Sequence, residues 1–163
     1  DYAEDKGDGT VTAPIAELQV ARLGISAIVL KGDSGRTLAF GPGWAESSSP
    51  PAEPGLSVIS AHRDTHFSFL RQVIVGDTIE LQGSRSSRRY EVTTLRVVDS
   101  REENVQLVSD EDALILITCF PFDAIDARGP LRFVVTAVPV AQLSVSESVE
   151  LSSSVGAPRP SLW

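Results

Sequence analysis

Hydrophobic and polar positions along this chain change over in short stretches rather than at helical spacing. The stretch Leu131-Arg132-Phe133-Val134-Val135-Thr136-Ala137-Val138 alternates and is rich in β-branched residues, which predicts a strand. Ala113–Thr118 is an apolar run of the kind a buried strand shows. Leu56–Ala61, Thr78–Leu81 and Arg89–Val98 read as three more strands, the last two separated by a turn at Gly83-Ser84-Arg85-Ser86-Ser87. Nearer the start, Leu18–Leu23 and Ile25–Leu30 predict two short strands joined at Gly24, and Phe67-Ser68-Phe69-Leu70-Arg71 fits one helical turn. Residues 41–55 hold four of the ten prolines around Ser47-Ser48-Ser49, a composition that predicts a surface loop. The sum is about seven or eight short strands at regular spacing with little helix, an all-β sandwich or barrel.

The ends differ in character from the middle. Residues 1–13 are polar and acidic with Gly7 and Gly9, and read as a lead-in. From about Ala141 the chain is rich in serine and ends near Pro158-Arg159-Pro160, which reads as a tail with Val145, Val149 and Leu151 as packing candidates. At 163 residues there is room for one domain with a real core, and the 42% hydrophobic share excludes wholesale disorder. A net charge of −8 without a basic stripe argues against nucleic acid as a partner. No apolar run approaches the roughly 18 residues that span a bilayer. The chain lacks methionine altogether, so it is expected to be a processed or truncated piece.

One cysteine excludes an intramolecular disulfide, and in a secreted protein a leftover thiol is either reactive or pairs with another chain. That residue, Cys119, closes the run Ala113–Cys119 and is followed by Phe120-Pro121-Phe122. Arg132 opens the next strand thirteen residues later, and if the two strands are antiparallel neighbours both side chains lie at one end of the sheet. His62 follows the apolar segment Leu56–Ala61 and begins a polar cluster, His62-Arg63-Asp64-Thr65-His66, that holds both histidines of the chain.

Taken together these segments resemble the sortases, the cysteine transpeptidases of bacterial cell envelopes. The family places Thr-Leu-x-Thr-Cys on one strand, Arg at the start of the next and His on an earlier strand. This chain has Ile115-Leu116-Ile117-Thr118-Cys119, with Ile115 in place of the usual first Thr. The flanks Thr118-Cys119-Phe120-Pro121-Phe122 and Ala61-His62-Arg63-Asp64-Thr65 are similar to the class D type and its relatives in Gram-negative bacteria. Similar flanks recur at Leu38-Ala39-Phe40-Gly41-Pro42-Gly43-Trp44, Val75-Gly76-Asp77-Thr78-Ile79 and Pro130-Leu131-Arg132-Phe133, so the resemblance covers about residues 14–140.

The resemblance implies a closed eight-stranded β-barrel with short helical turns and long loops over 14–140, flanked by the lead-in 1–13 and the tail 141–163. It implies that Cys119 attacks a peptide carbonyl, that His62 protonates the leaving amine and later deprotonates the incoming one, and that Arg132 hydrogen-bonds the substrate backbone or the oxyanion. Thr118, Phe120 and Trp44 are the candidate substrate-binding residues. The implied partners are a surface protein bearing a Leu-Pro-x-Thr-Gly-like sorting signal and an amine acceptor, a pilin lysine or a cell-wall peptide. The implied setting is the cell envelope, with a membrane anchor upstream of Asp1 and a monomeric enzyme. No cofactor or metal is expected: two histidines four apart and one cysteine do not match a zinc pattern, and no acidic loop has calcium-loop spacing.

Each residue also has a plainer reading. Cys119 can be a small core hydrophobe, and Arg132 can pair with Asp123 or Asp126. His66 fits a solvated or loop-packing role, and Asp64 fits a turn cap better than an orienter of His62. Trp44 can cover core rather than wall a groove, and Glu102-Glu103 and Asp110-Glu111-Asp112 read as solvated turns. Two rival functions follow: a thiol hydrolase with water as acceptor, and an extracellular β-barrel interaction module with an inert cysteine.

Overall fold

Period-two burial carries the architecture. In strand β1 (Pro14–Val20) of the computed structural model, Ala16, Leu18 and Val20 are buried and the intervening side chains are not. The structure describes residues 13–63, 65–103, 111–122 and 129–141. The other strands among the described residues are β2 (Ile25–Lys31), β3 (Gly43–Trp44), β4 (Leu56–Ser60), β5 (Thr78–Gly83), β6 (Ser87–Asp99), β7 (Ala113–Cys119) and β8 (Leu131–Pro139). They close into one eight-stranded barrel in the order β1-β2-β3-β4-β7-β8-β6-β5. Among the described residues helix is confined to α1 (Gly35–Leu38) and two 3₁₀ turns, Ala21–Leu23 and Ser68–Gln72.

Alternation sorts the strands into two faces. Leu18, Val20, Ile59, Ile79, Leu81, Tyr90, Val92, Leu114, Leu116, Val135 and Ala137 fill the barrel interior. The opposite face of β4 and β7 carries a smaller cluster of Leu56, Val58 and Ala113 with Ala45, and Ile115 and Ile117 pack against it. Parallel pairing of β4 with β7 (Val58 opposite Ile115, Ser60 opposite Ile117) and antiparallel pairing of β7 with β8 (Ile117 opposite Val134) make this a continuous strip.

Three sequence readings need correction. Ala21–Leu23 is a 3₁₀ turn, not the end of a strand: the chain must reverse there to pair Val20 with Ile25, and Gly24 at φ 66° completes the reversal. The 41–55 segment is not a plain surface loop, since it contains β3 and buries Ala45, Ser48 and Ala52. Serine hydroxyls bond this segment to itself and to β4. The Ser48 hydroxyl donates to Ala45 O at 2.6 Å and accepts from Val58 N at 3.0 Å, while Ser57 Oγ donates to Pro50 O at 3.0 Å. Finally, Asp112 is more than a solvated turn residue: both its carboxylate oxygens accept from Arg88, at 2.7 and 2.8 Å, and it accepts from Gly55 N at 3.2 Å. This bracing holds its carboxyl below the usual range, chiefly through Arg88.

Candidate active site

Cys119 and Arg132 are direct cross-strand partners, the last residue of β7 facing the second residue of β8. By alternation both lie on the face of Ile115, Ile117 and Val134 rather than with Leu114 and Leu116 inside the barrel. Cys119 is a free, half-buried thiol. Arg132 is also half-buried, and its Nη1 donates to Gly129 O at 2.7 Å and Leu131 O at 2.9 Å, which fixes the guanidinium against its own loop.

His62 reaches the same end along the parallel pair. Ser60 stands opposite Ile117, and the pairing runs on past the strand end, with Ala61 N donating to Ile117 O at 3.3 Å. Continued two residues further, that register brings His62 level with Cys119. The imidazole is exposed, and the turn that follows is closed by Thr65 N and Phe67 N donating to His62 O. One thiol, one imidazole and one guanidinium therefore share one end of one face. The His66 side chain is half-buried in that turn. The suggested partners Asp64, Asp123 and Asp126 lie outside the described residues.

Of the three candidate substrate-binding residues, Phe120 lies in an open cleft and the other two do not. Thr118 is buried, and its hydroxyl donates to Ala61 O at 2.7 Å. It points inward because it alternates with Cys119, and it ties β7 to the residue before His62. Trp44 packs its ring on the barrel core, and its indole N–H donates to Ser49 O at 2.9 Å.

An open cleft of about 360 Å³ is lined by Arg71, Phe120, Pro121, Phe122 and Phe133. Phe120 stacks on Phe133 with centroids 6.0 Å apart, and Phe122 meets both edge-on at 5.9 and 5.3 Å. The Arg71 guanidinium lies 5.6 Å from the Phe122 ring centre. Sequence reasoning missed Arg71 and Phe133; the Phe-Pro-Phe after Cys119 was the available signal. Arg71 rides on the Ser68–Gln72 turn, which Arg22 anchors through Gln72 O at 2.7 Å and Asp77 at 2.6 Å. Asp77 also accepts from Ile74 N at 2.9 Å. Arg22 holds its carboxyl below the ordinary range, with burial opposing and the Ile74 bond assisting. Among the described residues no group of three or more His, Cys, Asp or Glu is placed to hold a metal ion.

A family profile described as a Sortase domain matches residues 18–140. The chain belongs to the sortase family. It is 29% identical over 119 residues to Sortase D of Bacillus subtilis, an alignment covering 72% of this chain and 60% of that protein, and in this it is class D-like. The chain thus spans 60% of the length of that relative. Sortase C1 of Streptococcus agalactiae superposes with a TM-score of 0.69 at 22% identity, covering 82% of this chain and 70% of that one. For sortase A of Corynebacterium diphtheriae the TM-score is 0.71 at 23% identity, covering 82% and 64%. These two structures share the sortase barrel fold.

Proposed function

We propose that this chain is the catalytic barrel of a cysteine transpeptidase, with 14–140 as the catalytic unit, 1–13 as a lead-in and 141–163 as a tail. The observation that carries the proposal is the meeting of Cys119, Arg132 and the His62 register position on one face of a sortase-family barrel. The Cys119 thiolate attacks the Thr–Gly carbonyl carbon of a Leu-Pro-x-Thr-Gly-like signal, and Arg132 stabilises the oxyanion or holds the substrate backbone. The C–N bond then breaks as His62 gives its proton to the leaving amine, and a thioester remains on Cys119. An incoming amine attacks the thioester, His62 takes up its proton, the C–S bond breaks and the thiolate returns.

The apolar strip of Ile115 and Ile117 leading to Cys119 supports an extended peptide as the acyl donor. The partners in this reading are a sorting-signal-bearing surface protein and a pilin lysine or cell-wall peptide amine. The setting is the cell envelope, with the enzyme anchored to the membrane and monomeric. Among the described residues no helix is long and apolar enough to cross a membrane.

The test is incubation with a Leu-Pro-x-Thr-Gly peptide and a glycine-based amine, followed by intact-protein mass spectrometry. A thioester adduct on the native protein, its loss in Cys119→Ala and a ligated peptide product are expected. Cleavage that persists in Cys119→Ala refutes the assignment. Cleaved peptide without ligated product indicates the hydrolase, and a native thiol that resists iodoacetamide indicates the inert module.

A further inference from the structure

We infer that Ser100, just past the end of β6, is a positioning residue for Arg132: it holds residues 129–131, on whose carbonyls the guanidinium is seated. The inference rests on the transpeptidase reading and adds to its site a residue that acts through Arg132 rather than on substrate.

The seat comes first. Arg132 Nη1 donates to Gly129 O at 2.7 Å and to Leu131 O at 2.9 Å. Leu131 O also accepts from the Phe120 N–H at 3.1 Å, so one carbonyl carries both the guanidinium and the residue that follows the thiol. How Cys119 and Arg132 face each other across β7 and β8 therefore depends on where residues 129–131 lie. Between the two seating carbonyls stands Pro130, and its own carbonyl is bonded on the other flank, to the end of β6.

The proline weakens that flank and Ser100 repairs it. Asp99 pairs with Leu131, so Ser100 falls opposite Pro130, where an antiparallel pair exchanges an N–H···O bond in each direction. Ser100 N donates to Pro130 O at 2.9 Å, but proline has no N–H to return. The Ser100 hydroxyl supplies a second bond to the same carbonyl, at 2.8 Å. Its own backbone is braced by Asp99, whose carbonyl accepts from Glu102 N and Glu103 N at 2.9 Å and whose carboxylate accepts from Arg101 N at 2.9 Å and Arg101 Nη2 at 2.7 Å. Ser100 is exposed, so removing the hydroxyl leaves no buried group unpaired. The loss falls on the placement of residues 129–131 rather than on the stability of the barrel.

A double-mutant cycle on thioester formation, followed by single-turnover mass spectrometry with a Leu-Pro-x-Thr-Gly peptide, tests the inference. Ser100→Ala is expected to slow the step about threefold to tenfold, the weight of one net hydrogen bond, and Ser100→Thr, which keeps the hydroxyl, to restore it. In an Arg132→Ala background Ser100→Ala should cause no further loss, because the group it positions is gone. A native rate in Ser100→Ala, or losses that multiply in the double variant, overturn the inference. A second readout does not need catalysis: amide hydrogen exchange by NMR. In Ser100→Ala the Phe120 amide, bonded to Leu131 O, is expected to exchange about threefold to tenfold faster, while the Leu18 amide across the barrel keeps its native rate. Unchanged exchange at Phe120 overturns the inference. If the native protein forms no thioester, the transpeptidase reading fails, and exchange at Phe120 alone decides whether Ser100 holds the seat of Arg132.

Discussion

The Thr118 hydroxyl donates to the Ala61 carbonyl at 2.7 Å, so the residue before the thiol is bonded to the residue before the imidazole. Both members are buried, and the bond crosses the parallel β4–β7 pair where regular strand pairing is ending. We expect Thr118→Val to leave a buried carbonyl unpaired at a cost of about 1–3 kcal/mol in urea denaturation. Because Cys119 and His62 are each one residue away, acyl-enzyme formation should also fall about 10-fold to 100-fold, the effect of a small misplacement of reacting groups. Thr118→Ser, which keeps the donor, should restore most of the rate. If Thr118→Val lowers stability while the rate stays native, the bond serves the fold alone.

Arg132 is held by its own loop, with one nitrogen, Nη1, donating to both Gly129 O and Leu131 O, which leaves the rest of the planar fork to face a substrate oxygen in the proposed reaction. Arg132→Lys keeps the charge and loses the fork. Thioester formation is therefore expected to drop about 10²-fold to 10³-fold, as when an oxyanion donor is removed, with the melting temperature nearly unchanged. Single-turnover mass spectrometry measures the first quantity and circular dichroism the second. A rate within twofold of native removes Arg132 from the proposed machinery.

The parts of the fold legible in sequence are those with uninterrupted patterns. The apolar run Ala113–Cys119 and the strand opening at Arg132 announced β7, β8 and their shared end, because a thiol and a guanidinium at the limits of two adjacent strands meet in almost any antiparallel register. Strand β6 was legible only in outline, since a bulge between Val92 and Thr94 shifts the pairing and breaks the alternation. The two-residue β3 was invisible inside a proline-rich stretch, as was the four-residue α1, which shows no helical period. Closure of the barrel followed from family resemblance, because alternation fixes faces but not which strands are neighbours. Thr118 and Trp44 were assigned to the groove because sequence does not say which side of a strand turns outward near its end. Arg71 carried no signal at all: its role depends on a turn docking against Phe122, some fifty residues distant.

Gly43 sits where β3 is wedged between β2 and β4, and a Cβ there would lie 2.2 Å from Gly32 O and 2.9 Å from Leu38 Cδ2. A backbone carbonyl in a strand connection cannot step aside as a side-chain end can. Gly43→Ala should therefore cost about 3 kcal/mol or loosen β3 from its neighbours. Gly24→Ala, with nothing within 4 Å but φ at 66°, should cost only about 1 kcal/mol from backbone strain. Denaturation midpoints of the two variants, measured side by side, check the ranking. Equal losses would mean that crowding at Gly43 is relieved by ordinary relaxation.

Asp77 is one of three carboxylates, with Asp99 and Asp112, whose pairing with arginine makes the fold acid-sensitive. Its nearly buried carboxylate accepts from Arg22 and from Ile74 N, and the Arg22 bond is the main reason its pKa lies below that of a free carboxyl. The folded state therefore binds this proton more weakly than the unfolded chain, whose value is about 3.9. A lowered folded pKa contributes stability that is fully present above the unfolded value, declines as pH falls below it, and is lost once pH has passed the folded value. Stability should thus be level near neutrality and fall below about pH 4. Asp77→Asn keeps the size but gives up the charge, so it should destabilise by about 1–3 kcal/mol at pH 7 and flatten the decline below pH 4. Because Arg22 also holds Gln72 O, the same substitution loosens the turn that carries Arg71. Urea denaturation across pH 3–7 supplies the check. A decline equally steep in the native protein and in Asp77→Asn would place the acid-sensitive carboxylate elsewhere.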